Sequence, residues 1–86
     1  MRYTVIWRPS AEADLAAIWT EARDRQTVSR AANQIDTLLR SAPTTSGESR
    51  SGDTRILVVP PLAVHFDVVA DDRKVYVLTL RFVAKP

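Results

Sequence analysis

The sequence predicts an α+β domain with the element order β-α-α-β-β-β, in which an N-terminal helical hairpin packs on one face of an antiparallel sheet. Three observations lead there. Residues 2–8 alternate, with Tyr3, Val5 and Trp7 on one face and Thr4 and Ile6 on the other, as a strand requires. Two helical stripes follow, joined by the polar hinge Asp24-Arg25-Gln26-Thr27. Beyond Asp53 come three β-branched runs, separated by Pro60-Pro61 and by Asp71-Asp72-Arg73. At 86 residues and 45% apolar content, residues 1–86 have material for one core, hence one domain.

Each element has its own justification. The first strand is β-branched and aromatic. Pro9 stops it, Ser10 is the expected N-cap, and Glu12 and Asp14 put negative charge in the first helical turn. Ala11, Leu15, Ile18, Trp19 and Ala22 form the first helical stripe, which ends near Arg23. Val28, Ala31, Ala32, Ile35, Leu38, Leu39 and Ala42 form the second, with Asp36 and Arg40 paired at i,i+4 and Pro43 as terminator. So short a link makes the helices an antiparallel hairpin. Residues 44–53 are Ser, Thr, Gly and charge, the composition of a loop.

The meander begins with Arg55–Val59. In the next two strands Leu62, Val64, Phe66 and Val68 alternate, then Tyr76, Leu78, Leu80 and Phe82. A three-residue turn at Asp71–Arg73 sets Ala70 opposite Lys74, Val68 opposite Tyr76, Phe66 opposite Leu78 and Val64 opposite Leu80. That register collects Leu62, Val64, Phe66, Tyr76, Leu78 and Leu80 on one buried face. The other face then carries His65 beside Thr79, with Asp67 and Arg81 nearby. Trp7, Trp19 and Tyr76 follow apolar stripes and are expected in the core.

Composition removes several function classes. There is no cysteine, so disulfides, iron–sulfur clusters and cysteine-held zinc are out, and a lone histidine makes no metal site. No cofactor is implied. The longest apolar stretch, Ile56–Val64, is broken by Pro60 and Pro61 and falls short of the roughly 20 residues of a membrane span. The apolar run before Arg8 is too short for a signal peptide. A soluble, cytoplasmic protein with no membrane partner is expected. The net charge is +2, carried by ten arginines and only two lysines. Arginine suits planar contacts to phosphate or carboxylate, while so small a net charge does not predict strong nonspecific nucleic-acid binding.

The strand Tyr3-Thr4-Val5-Ile6-Trp7, then Pro9, Ala11, Asp14-Leu15 and Ile18, the helical hairpin, the Gly- and Arg-bearing loop and the meander together resemble the RelE/ParE superfamily, the toxins of type II toxin–antitoxin systems. Gly47-Glu48-Ser49-Arg50, Arg55 and Pro61-Leu62 are similar to a plasmid-stabilisation-like subgroup. The resemblance implies a toxin held inactive by a cognate antitoxin. One branch of the superfamily cleaves mRNA on the ribosome, and the other poisons DNA gyrase. Ribosome-dependent members commonly carry basic residues entering the second strand, an arginine early in the third, and a basic or aromatic group after the fourth. Arg55 matches the first. Ala63 stands at the second, and Phe82-Val83-Ala84-Lys85-Pro86 holds no tyrosine or histidine.

Metal-free RNA cleavage needs a base for the 2′-hydroxyl, charge to stabilise the phosphorane, and an acid for the leaving oxygen. Glu12 and Glu21 belong to helix surfaces, which leaves Glu48 and His65 for proton transfer. Arg55 and Arg81 are the candidates for the phosphate, both placed to flank the open sheet face. The candidate catalytic set is Arg55, Arg81, His65 and Glu48. Arg50, Arg55, Arg81 and Lys85 are candidates for gripping nucleic acid or the acidic residues of an antitoxin. Each has a plainer reading: a solvated loop for Glu48, a strand histidine covered by a partner for His65, and antitoxin contacts for the arginines. The expected function is a toxin component, a ribosome-associated mRNA endoribonuclease. The alternatives are a gyrase inhibitor and a non-toxic paralogue serving as a binding module.

Overall fold

The computed structural model describes residues 2–51 and 54–83. Its elements are β1 (Thr4–Trp7), α1 (Pro9–Glu21), α2 (Arg25–Ser41), β2 (Glu48–Ser51), β3 (Thr54–Val59), β4 (Leu62–Val69), a 3-10 turn at Ala70–Asp72, and β5 (Lys74–Phe82). The strands form one five-stranded sheet in the order β1-β5-β4-β3-β2. The expected α+β order is present, with two differences. β2 occupies the segment expected to be loop, and β1 runs parallel to β5 in an otherwise antiparallel sheet.

The parallel pair follows from where the helices run. α1 continues in the direction of β1 along the upper half of β5, where Ser10 meets Leu78 and Asp14 meets Leu80. α2 then brings the chain back to the end where β1 began, and the Tyr3 N–H donates to the Arg40 carbonyl over 2.8 Å. From that end β3, β4 and β5 run up, down and up, so β5 finishes parallel to β1.

Helix starts differ from expectation twice: α2 begins at Arg25, so that Arg25, Gln26 and Thr27 of the expected hinge are helical, and α1 lacks its expected cap. α1 starts at Pro9, and its N-cap residue Arg8 makes no side-chain cap. Ser10 is diverted, because its hydroxyl donates to the Leu78 carbonyl at 2.7 Å. At the hinge, Arg25 donates from Nε to the Trp19 carbonyl and from Nη2 to the Thr20 carbonyl, both at 3.1 Å. Those acceptors belong to the last turn of α1, where the i+4 donors run out; the Trp19 carbonyl also accepts the Ala22 N–H at 3.3 Å. The same guanidinium stacks on Trp19 at 4.7 Å. Trp19 is therefore an exposed partner of Arg25 at 43% accessibility, not a core residue. Asp24 caps α2, accepting from the Thr27 N–H at 3.1 Å and the Thr27 hydroxyl at 2.6 Å. The expected Asp36–Arg40 pair forms at 2.7 Å.

The β4–β5 register holds in one half and slips in the other. Val64 faces Leu80 and His65 faces Thr79, as expected. Below them, Phe66 faces Val77, Asp67 faces Tyr76 and Val68 faces Val75. The turn runs from Ala70 to Arg73, with Arg73 in the left-handed region at φ 52°, so Val69 rather than Ala70 faces Lys74. A β-bulge at Leu78 absorbs the extra residue. The lower half of β5 is thereby turned over. Val75 and Val77 are buried, while Tyr76 sits half-buried on the opposite face, in register with Asp67 and Ile6. This orientation matches β1, whose Val5 lies opposite Val75. The core joins Val5, Ala11, Val28, Ala31, Ile35 and Leu39 to Leu62, Val64, Phe66, Val75, Val77 and Leu80.

Candidate functional site

The sheet face away from this core is set by strand alternation and carries three rows of side chains. Val58, Ala63 and Arg81 form one. Glu48, Ile56, His65 and Thr79 form the next, running across β2, β3, β4 and β5. Thr54, Asp67, Tyr76 and Ile6 form the third. Glu48, His65 and Arg81 therefore share one face; the sequence places His65 and Arg81 there, whereas Glu48 reaches it through β2, in the segment expected to be loop.

Spacing follows from sheet geometry. Glu48 and His65 are two strands apart, about 10 Å between Cα atoms. Arg81 lies opposite Ala63, which makes it a diagonal neighbour of His65 at about 7–8 Å. Arg81 and Glu48 are exposed, and no ion pair holds either among the described residues. His65 is half-buried, with Nδ1 3.3 Å from the Thr79 hydroxyl. Asp67 does not orient it. The Asp67 carboxylate instead accepts from the Thr54 hydroxyl at 2.6 Å. A histidine beside a threonine can exchange a proton with a ligand, and Arg81 can neutralise a phosphate brought alongside.

Arg55 is placed differently from expectation. It pairs with Phe66, so it belongs to the helix-covered side of the sheet and does not flank the open face with Arg81. Its Nε donates to the Ser46 carbonyl at 3.1 Å and its Nη2 to the Gly47 carbonyl at 3.0 Å. Reading residues 44–53 as a featureless loop hid these acceptors. Gly47, next to Glu48, was the available signal: it adopts φ +70°, and a Cβ there would collide with the Ile56 carbonyl. Arg50 belongs to β2, but its side chain lies outside the described residues, as does Lys85.

Two residues not singled out as functional tie α1 to the bulge. Ser10 donates to the Leu78 carbonyl, and the Asp14 carboxylate accepts the Leu80 N–H at 3.1 Å. These backbone groups lie beyond the end of β1, where β5 has no strand neighbour on that side. Among the described residues no three acidic, histidine or cysteine side chains come together as a metal cluster. No helix there is long and apolar enough to cross a membrane.

No protein-family model and no curated protein matches the sequence. Solved structures do match. A chain of the chromosomal ParDE toxin–antitoxin system from P. aeruginosa superimposes with a TM-score of 0.72 at 22% identity, over 96% of this chain and 98% of that one. The RelBE2 toxin–antitoxin complex from Mycobacterium tuberculosis gives a TM-score of 0.77 at 16% identity, over 95% and 99%. The isolated E. coli RelE toxin gives 0.67 at 11% identity, over 98% and 87%. Along nearly its whole length, this chain has the fold of the RelE and ParE toxins.

Proposed function

We propose that the chain is the toxin component of a type II toxin–antitoxin system, neutralised by a cognate antitoxin. The observation that carries this reading is the match to toxin–antitoxin structures over 96% of this chain and 98% of one neighbour, and over 95% and 99% for another. Fold alone does not determine activity, so the target is argued from the open face.

There the reading is a metal-independent ribonuclease acting on ribosome-bound mRNA. Arg81 meets the phosphate and balances the charge of the phosphorane. His65 and Glu48 divide the proton transfers, one accepting from the 2′-hydroxyl and the other donating to the 5′-oxygen. Their shared face supports this division. The ribosome supplies the substrate geometry, which a shallow open sheet does not supply by itself.

A specific observation also favours gyrase inhibition, which needs a surface and no chemistry. Asp67 is occupied by Thr54 and Arg55 by two carbonyls, so only three of the groups considered remain for catalysis. Message cleavage on translating ribosomes and gyrase supercoiling, measured side by side, separate the two. The ribonuclease reading expects cut message that falls about 10²–10³-fold in Arg81→Ala, with supercoiling untouched. Inhibited supercoiling with intact message rejects it.

A further inference from the structure

We propose that Arg55 is a positioning residue: its guanidinium holds the Ser46 and Gly47 carbonyls and thereby fixes Glu48 in the cross-sheet row with His65. The inference rests on the ribonuclease reading for what Glu48 does, and on geometry alone for what Arg55 does.

The guanidinium is spent on backbone. Nε and Nη2 reach two successive carbonyls at 3.1 and 3.0 Å, a planar grip that arginine's fixed fork makes and lysine's single ammonium does not. Its register opposite Phe66 puts the sheet itself between Arg55 and a phosphate lying over His65. Arg55 is thus poorly placed to touch such a phosphate and well placed to hold what precedes β2.

That segment needs holding. Residues 44–48 read Thr-Thr-Ser-Gly-Glu and offer no apolar side chain to bury. Upstream, the Ser46 hydroxyl donates to the Ala42 carbonyl at 2.5 Å and ties the segment to the end of α2. Downstream, Gly47 passes so close to the Ile56 carbonyl that a Cβ has no room, and its φ of +70° suits glycine. The next residue, Glu48, opens β2 opposite Ile56, and Ile56 faces His65. Arg55 lies one residue before Ile56 on β3, so the strand that Glu48 pairs with also carries the clamp on its turn.

The experiment compares Arg55→Lys, Arg55→Ala, Glu48→Gln and the Arg55→Ala/Glu48→Gln double variant by two readouts: amide hydrogen exchange, and message cleavage on translating ribosomes. In Arg55→Ala, amides of the β2–β3 ladder should exchange at least about tenfold faster, while those around Ile35 and Phe66 keep their protection. Arg55→Lys should fall between Arg55→Ala and the native chain. Cleavage should drop in both single variants, and the double variant should be no slower than Glu48→Gln, because Arg55 acts through Glu48. Unchanged exchange in Arg55→Ala overturns the proposal. So does a double variant whose loss is the product of the single losses, which is the signature of an independent phosphate contact. If Glu48→Gln cleaves like the native chain, it is the catalytic reading of Glu48 that fails, and exchange alone decides whether Arg55 holds the turn.

Discussion

The Asp14 carboxylate accepts the Leu80 backbone N–H at 3.1 Å, and so binds the first helix to the last strand just past the Leu78 bulge. With Ser10 on the Leu78 carbonyl, it does for β5 what a longer β1 would have done. A carboxylate accepting from backbone is a strong bond, and its loss leaves a donor without a partner. Asp14→Ala should lower stability by about 1–3 kcal/mol, and Ser10→Ala by about 1 kcal/mol. Denaturant unfolding with an unchanged m-value checks both. Full stability in Asp14→Ala contradicts the clamp.

Phe66 is fully buried at the centre of the sheet, between Arg55 and Val77 in register. Phe66→Ala should cost about 3–5 kcal/mol through the cavity it leaves. Thermal or denaturant unfolding measures the loss. A change below about 1 kcal/mol would mean that the site collapses around the missing ring.

Gly47 combines a positive φ with a close approach to the Ile56 carbonyl. Gly47→Ala should therefore destabilise by more than about 1 kcal/mol, although alanine elsewhere in a flexible loop stabilises slightly. The loss should appear first as faster exchange in the β2–β3 ladder.

Asp24 is fully exposed, yet its carboxyl is held below the ordinary 3.8, first by the Thr27 hydroxyl and then by the Thr27 N–H. A depressed folded-state pKa means that the deprotonated form favours the native state. This contribution is present above pH 3.8 and is lost as pH falls through the lower folded value. In Asp24→Asn the acid limb of the stability profile should be flatter. An identical limb in both proteins contradicts the cap.

Much of this was legible from residue types, and the failures share a cause. Both helices, the Asp36–Arg40 pair and the burial of Leu62, Val64 and Phe66 follow from periodicities of 3.6 and 2 that side chains impose locally. The placement of His65 and Arg81 on one face followed from the same alternation and from the register of the upper meander, whereas Glu48 joins them only through β2. What escaped depends on backbone groups, which leave no pattern in composition. β2 has no apolar alternation because it is held through Arg55, Gly47 and the ladder to β3. The bulge at Leu78 reverses Val75, Tyr76 and Val77, and a strictly alternating sequence fits either orientation until the turn length is known. Ser10 looked like a helix cap because its alternative partner, the Leu78 carbonyl, lies 68 residues away.

The central claim is toxicity reversed by a partner, and growth after induction tests it most directly. The chain is induced alone and together with the product of the neighbouring reading frame, and colony formation is counted. The account predicts arrest with the chain alone and recovery with the neighbour. Normal growth with the chain alone, in cells where the folded protein accumulates, would contradict it.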